Sequence, residues 1–264
     1  MRAFVEELYG QPERAVPALC LLLGLTVGLL TKSVAWAFAC TLCSAVVWRY
    51  WSARLVIEDL RLGALTLTCP QRDENNKAQV WLTFDDGPGP ETLEIVEALN
   101  RAQTPATFFF IGEQVKNFPE LDKLAQALRL GGHSVANHSY THPNFLRLSS
   151  HRTRDQIEST QALLEETFQE LVVPLFRPPY GYRSSLTLRT ANDCGLTSVG
   201  WSVNSLDFLS GASQRVFERV SRECKPGSIL LFHDGRSGRS RTVEALPLVL
   251  RRLNHLNFGA YSPR

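Results

Sequence analysis

From Val16 to Trp48 the chain is almost continuous hydrophobe, interrupted only by Thr31-Lys32-Ser33. The run exceeds the roughly 20 apolar residues that one bilayer crossing needs. It also lacks the polar face of a helix packed on a soluble core. Two arrangements fit: one span with residues to spare, or a hairpin of two short spans of about 16 residues each, joined at Lys32. Glu6, Glu7 and Glu13 precede the run, which argues against a cleaved signal peptide. Trp48, Tyr50 and Trp51 follow it as an interfacial aromatic belt would. Arg2 and Arg14 lie before it and Arg49, Arg54 and Arg61 after it. Basic flanks on both sides suit a hairpin with both ends cytoplasmic, whereas a single span from a cytoplasmic N-terminus puts the remainder outside. The expected organisation is a membrane anchor over 1–51, a connector over 52–77 and an α/β domain over 78–264.

Beyond residue 78 the pattern changes. Short apolar runs, bounded by turn residues, alternate with stretches of helical period. Strands are expected at Val80 to Phe84, Ala106 to Ile111, Ser134 to Ala136, Leu175 to Phe176, Thr197 to Trp201 and Ile229 to Phe232. Helices are expected at Glu91 to Arg101, Pro119 to Leu130, Thr153 to Leu171, Leu186 to Cys194, Gln214 to Glu223 and Thr242 to Leu253. Gly131-Gly132 supplies a C-terminal stop for the second helix. Ahead of these, Leu65 to Thr68 alternates like a short strand and Pro70 to Lys77 reads as a turn. Strand–helix alternation of this kind implies parallel β/α units, closed as a barrel or open as a sheet. In both, ligand chemistry collects at the carboxyl ends of the strands.

Composition narrows the function classes modestly. The 264 residues carry a net charge of +2, and no run of Lys or Arg forms a basic stripe, so nucleic acid is not an expected partner. The six cysteines include no CxxC pair. Three of them, Cys69, Cys194 and Cys224, lie outside the apolar stretch and suggest no disulfide framework.

The strand ends hold the chemistry. The first runs into Thr83-Phe84-Asp85-Asp86-Gly87-Pro88, and adjacent carboxylates repel unless a cation or proton intervenes. The third is followed by Asn137-His138-Ser139-Tyr140-Thr141-His142-Pro143, whose two histidines are spaced so that one helical turn would put both imidazoles on one face. Two His and one Asp make a three-ligand metal site with a position left open, the form of a catalytic centre. Arg177-Pro178-Pro179-Tyr180-Gly181 follows another strand, and its stiff prolines suit an Arg aimed at a fixed carboxylate. Asp207 lies just past a fifth strand, and His233 ends the last, where a His paired with a carboxylate makes a proton donor.

Taken in order, TFDDGP, HSYTH, RPPYG, NSLDF and LFH resemble the five motifs of the polysaccharide deacetylases, the NodB-homology domain of carbohydrate esterase family 4. The resemblance spans roughly Gln79 to Phe258 and implies a distorted (β/α) barrel with fewer than eight units. It implies a divalent metal, zinc by preference, on Asp86, His138 and His142, with Asp85 as general base and His233 as general acid. Arg177 would then hold Asp85, and Asp207 would hold His233. Tyr180 would offer its backbone N–H to the oxyanion, and Leu231 would line the pocket for the acetyl methyl. The expected substrate is an N-acetylated amino-sugar glycan, or a lipid-linked N-acetylated sugar at the membrane face. A non-catalytic sugar-binding relic is the competing reading from another class. The chain departs from the family's usual Asp-x-x-Asp-Trp at Asn204 and Phe208, which bears on acyl or sugar preference.

Overall fold

The computed structural model describes residues 68–73, 75–209, 212–235, 240–259 and 261. The expected anchor over 1–51, and the connector as far as residue 67, lie outside these. Among the described residues no helix is long and apolar enough to cross a membrane.

Among the described residues eight strands form one sheet: β1 (Gln79–Asp85), β2 (Thr107–Phe110), β3 (Ser134–Asn137), β4 (Val172–Phe176), β5 (Thr197–Ser198), β6 (Val203–Asn204), β7 (Ile229–His233) and β8 (Asn257–Gly259). Their order is β5-β4-β3-β2-β1-β7-β6, with β8 also paired to β1. Every named pair is parallel. Among the described residues seven α-helices accompany them: α1 (Thr92–Arg101), α2 (Gly112–Asn117), α3 (Leu121–Leu130), α4 (Ser150–Phe168), α5 (Ser185–Asp193), α6 (Ser213–Glu223) and α7 (Ser240–Arg252). This is the curled, incompletely closed parallel sheet expected of a distorted barrel.

Strand parity divides the core in two. Val80, Leu82 and Phe84 of β1 pack in one cluster with Ile95, Leu99, Leu246 and Val249 of the helices. Trp81 falls in a second cluster with Phe109, Ala136, Leu175 and Ile229. Side chains alternate across a strand, so the second set lines the concave face. Continuing the same parity carries Asp85, His138, Arg177 and His233 to that face, at the carboxyl ends of their strands. In register, Asp85 is level with His233.

One expectation about an element is corrected. Of the strand expected over Thr197 to Trp201, only Thr197 and Ser198 form one, β5 on β4, while Val203 and Asn204 beyond it form β6 on β7, at the opposite edge of the sheet. The barrel is therefore open between them. The Arg177 guanidinium holds the segment that leaves β5: Nε donates to the Val199 carbonyl (3.2 Å) and Nη2 to the Gly200 carbonyl (2.7 Å). Helix α2 and strand β8 carried no anticipated pattern, being only 6 and 3 residues long. Elements that short expose too few positions for periodicity to emerge.

Candidate active site

At the open end of the barrel a cavity of about 390 Å³ is lined by Asp85, Asp86, His138, His142, Tyr180, Tyr182, Trp201, Asn204, Phe208, Leu231 and His233. Eight of the ten anticipated residues line it: Asp85, Asp86, His138, His142, Tyr180, Phe208, Leu231 and His233. Arg177 and Asp207 lie immediately behind, both fully buried.

Asp85 and Asp86 are neighbours with different partners. Asp85 Oδ1 accepts from Arg177 Nη1 at 2.7 Å, and the same nitrogen donates to Thr83 Oγ1 at 2.8 Å. The guanidinium also stacks over the Phe109 ring, 4.0 Å from its centroid. Burial presses the Arg177 pKa down, and the Asp85 charge opposes it. A guanidinium nevertheless stays charged, so Asp85 has a permanent cation fixing one of its oxygens. Asp86 turns away through a positive φ of 74°, and its Oδ1 lies 3.5 Å from His138 Nε2 and 3.0 Å from His142 Nε2. Burial alone would raise the Asp86 pKa, but hydrogen bonds and charge from the two imidazoles hold it far below the carboxylate range. Gly235 completes the turn, since a Cβ there would collide with the Asp86 carbonyl.

The two histidines are not on a helical turn. Residues 138 to 144 are irregular, and positive φ angles at Ser139 (68°) and His142 (58°) fold the loop back on itself. That corrects the expected means but not the expected meeting: the rings sit 5.1 Å apart, edge to face. His138 Nδ1 donates to the Arg177 carbonyl at 2.7 Å, which fixes the ring with Nε2 toward Asp86.

The donor set fits a divalent ion. Asp86, His138 and His142 are all buried, and their candidate ligand atoms lie within 4.8 Å of one another. Ligands about 2.1 Å from a tetrahedral or octahedral ion sit roughly 3.0–3.4 Å apart, close to the 3.0 and 3.5 Å found between Asp86 and the imidazoles. One carboxylate with two neutral imidazole nitrogens is a zinc-type set.

Across the cavity, His233 Nδ1 donates to Asp207 Oδ1 at 2.7 Å, and its backbone N–H donates to Oδ2 at 2.8 Å. Thr242 Oγ1 donates to the same Oδ2 at 2.6 Å. Burial pulls the His233 pKa down. The Asp207 hydrogen bond and charge, helped by Asp85 and Asp86, more than reverse this and leave it above the usual imidazole value. Phe208 stands edge-on to the His233 ring at 5.2 Å. The Asn204 side chain serves the backbone: Oδ1 accepts from the Leu206 N–H at 2.9 Å, stabilising a turn in which Leu206 has a φ of 56°. That role needs an acceptor oxygen and no charge. Thr242, Thr83, Trp201 and Tyr182 belong to the site but were not anticipated. They come from a helix or from strand-interior and loop positions where nothing marks their partners.

The polysaccharide deacetylase profile matches residues 72–199. A chitooligosaccharide deacetylase of Azorhizobium caulinodans is 34% identical over 200 residues, covering 71% of this chain and 94% of that protein. This chain belongs to the polysaccharide deacetylase family. The deacetylase is accordingly a hydrolase of carbon–nitrogen bonds other than peptide bonds. Among solved structures it resembles a peptidoglycan N-acetylglucosamine deacetylase in complex with 4-naphthalen-1-yl-N-oxidanyl-benzamide, at 31% identity and TM-score 0.67 over 75% of this chain and 90% of that one. It is about as similar to a family 4 pseudoenzyme from Bacillus anthracis, at 31% identity and TM-score 0.65 over 75% and 67%. Fold and overall identity are thus shared with a silent relative, and the cavity's side chains bear the weight of any catalytic reading.

Proposed function

We propose that the deacetylase removes acetyl groups from N-acetylhexosamine units of a glycan, using Asp85 as proton acceptor, His233 as proton donor and Asp86, His138 and His142 to hold a divalent metal. What supports this most directly is the division among three carboxylates. Asp85 has one oxygen tied to Arg177 and the other 3.7 Å from His138 Nε2. Asp86 faces two imidazole nitrogens. Asp207 is turned wholly to His233 and Thr242. A relic would have no use for keeping all three in place.

A divalent ion bound there supplies Lewis acidity, making water nucleophilic near neutral pH and polarising the acetamide carbonyl. Asp85 takes the proton of the attacking water while Arg177 prevents the carboxylate from rotating away. Tyr180 offers its backbone N–H to the oxygen that gains charge. His233, protonated against Asp207, gives its Nε2 proton to the sugar nitrogen as the carbon–nitrogen bond breaks. The products are acetate and a free amine. Leu231, nearly inaccessible at 2% exposure, suits the acetyl methyl, while exposed Tyr180 and Phe208 offer rings to a sugar face.

The similar proteins act on chitooligosaccharide and on peptidoglycan N-acetylglucosamine, which supports an N-acetylglucosamine-type substrate. Attachment to a membrane through residues 16–48 is a further part of the proposal, and it brings in lipid-linked N-acetylated sugars as a second substrate class. The test is mass spectrometry of acetylated glycans, soluble and polyprenyl-linked, after incubation with zinc-loaded protein. Loss of acetyl mass from any of them supports the reading; release from none would leave the silent sugar-binding alternative. A reporter fused to the C-terminus reads the membrane side.

A further inference from the structure

A second cavity, about 330 Å³, lies on the other side of the loop that walls the active site. Asn204 and Phe208 face the catalytic cavity, while Ser205, Leu206 and Leu209 line this one. The remaining wall is unusually basic, with Arg215, Arg219 and Arg222 from α6 and Arg241 from α7. Arg215, Arg219 and Arg222 recur at the spacing that stacks side chains on one helix face. Like charges in such a row oppose one another, and on a merely solvated face they would be free to diverge. Here they line one concave space whose apolar walls, Leu206, Leu209 and Val216, weaken dielectric screening.

The acidic groups nearby do not neutralise it. Glu218 lines the cavity and accepts from Gln214 Nε2 at 3.0 Å. Glu223 pairs with Arg222 at 3.1 Å and Arg219 at 3.5 Å. Four arginines against these two glutamates leave an excess of two positive charges. Arg215 is exposed and has no side-chain partner among the described residues. Two of the four also hold the shared wall. Arg219 Nε donates to the Asn204 carbonyl at 2.8 Å, and Arg241 Nη1 donates to the carbonyls of Asp207 at 3.2 Å and Leu209 at 2.7 Å.

We propose that this cavity is an oxyanion subsite, which binds a carboxylate or phosphate carried by the sugar unit next to the one deacetylated, so that the preferred substrate is an anionic glycan. The inference rests on the deacetylase reading for its substrate and on the cavity for its charge. All four basic residues are Arg, whose forked guanidinium matches carboxylate and phosphate oxygens in pairs. Because Arg219 and Arg241 brace the backbone on either side of Asp207, filling the cavity also steadies the loop behind His233.

The test compares three N-acetylglucosamine oligomers of equal length: one neutral, one bearing a lactyl carboxylate and one bearing a phosphate monoester on the adjacent unit. At low salt, at least one charged oligomer is expected to show a kcat/KM about tenfold above the neutral one, mainly through KM. The advantage fades as salt rises. In the doubly substituted Arg215→Gln, Arg222→Gln protein most of it is lost, and whichever charged oligomer loses it identifies the anion. Equal kcat/KM for all three oligomers in the unsubstituted protein overturns the subsite. Calorimetry on metal-free protein separates the two readings if no oligomer is turned over. Charged oligomers binding about tenfold more weakly to the double variant still support the cavity; binding that ignores charge overturns it.

Discussion

His133 and His138 flank the four-residue strand β3 and are both buried, at 2% and 1% exposure, yet they belong to different chemistries. At the amino end, His133 Nδ1 accepts from the Ala106 N–H at 3.0 Å, and Nε2 bonds Asn100 Oδ1 at 2.8 Å. Both nitrogens are spent on structure. Burial draws the His133 pKa down to about 4, against a partial counter-effect from Ala106. At the carboxyl end, His138 spends only Nδ1, on the Arg177 carbonyl, and turns Nε2 toward Asp86. Burial is therefore no mark of function by itself. What separates the two ends of the barrel is what the buried ring faces: a backbone N–H and an amide for His133, the cavity carboxylates for His138.

Substitutions at the two ends should split activity from stability. The largest effect is expected at His138→Ala, which leaves two ligands of three and should cut turnover by more than about a thousandfold with loss of bound metal. Metal analysis beside acetate release reads it; full metal content would break the contrast with His133. Next, Asp85→Asn should lower kcat by roughly 10²–10⁴-fold while metal stays bound. Loss of metal in that variant would mean that Asp85 and Asp86 have exchanged roles.

Asp207→Asn sharpens the account of the acid. His233 is raised above its usual pKa mainly by Asp207 acting against burial, so the donor form persists as pH climbs and disappears above the raised value. Removing the carboxylate should shift the alkaline limb of the pH–kcat/KM profile to lower pH and reduce the maximum by about a hundredfold. An unmoved limb would assign it to another group.

The smallest effect on catalysis is expected at His133→Ala. It orphans the Ala106 N–H and opens a small cavity, costing about 2–3 kcal/mol of unfolding free energy, with kcat per folded molecule unchanged. The pH dependence has a definite sign. A His held neutral in the fold must charge on unfolding, so the protein should lose stability as pH falls from about 6.5 toward about 4. Urea midpoints across that range should depend less on pH in the variant.

Much of the site was legible in the sequence because barrel parity is strict. Once Val80, Leu82 and Phe84 face the helices, Trp81, Thr83 and Asp85 must face inward, and the last of these is at the mouth. The same count leads from Ile229 through Leu231 to His233. What was not legible depends on contacts far apart in the chain. No local pattern tells that Thr242 reaches Asp207, or that Arg177 holds the Val199 and Gly200 carbonyls after β5. The His138–His142 spacing was read as helical, but it works through two residues in the left-handed region. Loops of that kind have no periodicity to read. Asn204 and Phe208 depart from the family pattern, and each has a definite contact in the fold: a turn acceptor, and an apolar edge on His233.

The central claim is that adjacent carboxylates divide the work, Asp85 moving a proton and Asp86 holding the ion. The most direct measurement is paired metal content and acetate release for Asp85→Asn and Asp86→Asn, using whichever acetylated glycan the unsubstituted protein deacetylates. The account predicts that Asp85→Asn retains the metal without turnover and that Asp86→Asn loses both. Equal metal loss in the two variants, or near-normal turnover by Asp85→Asn, would contradict it.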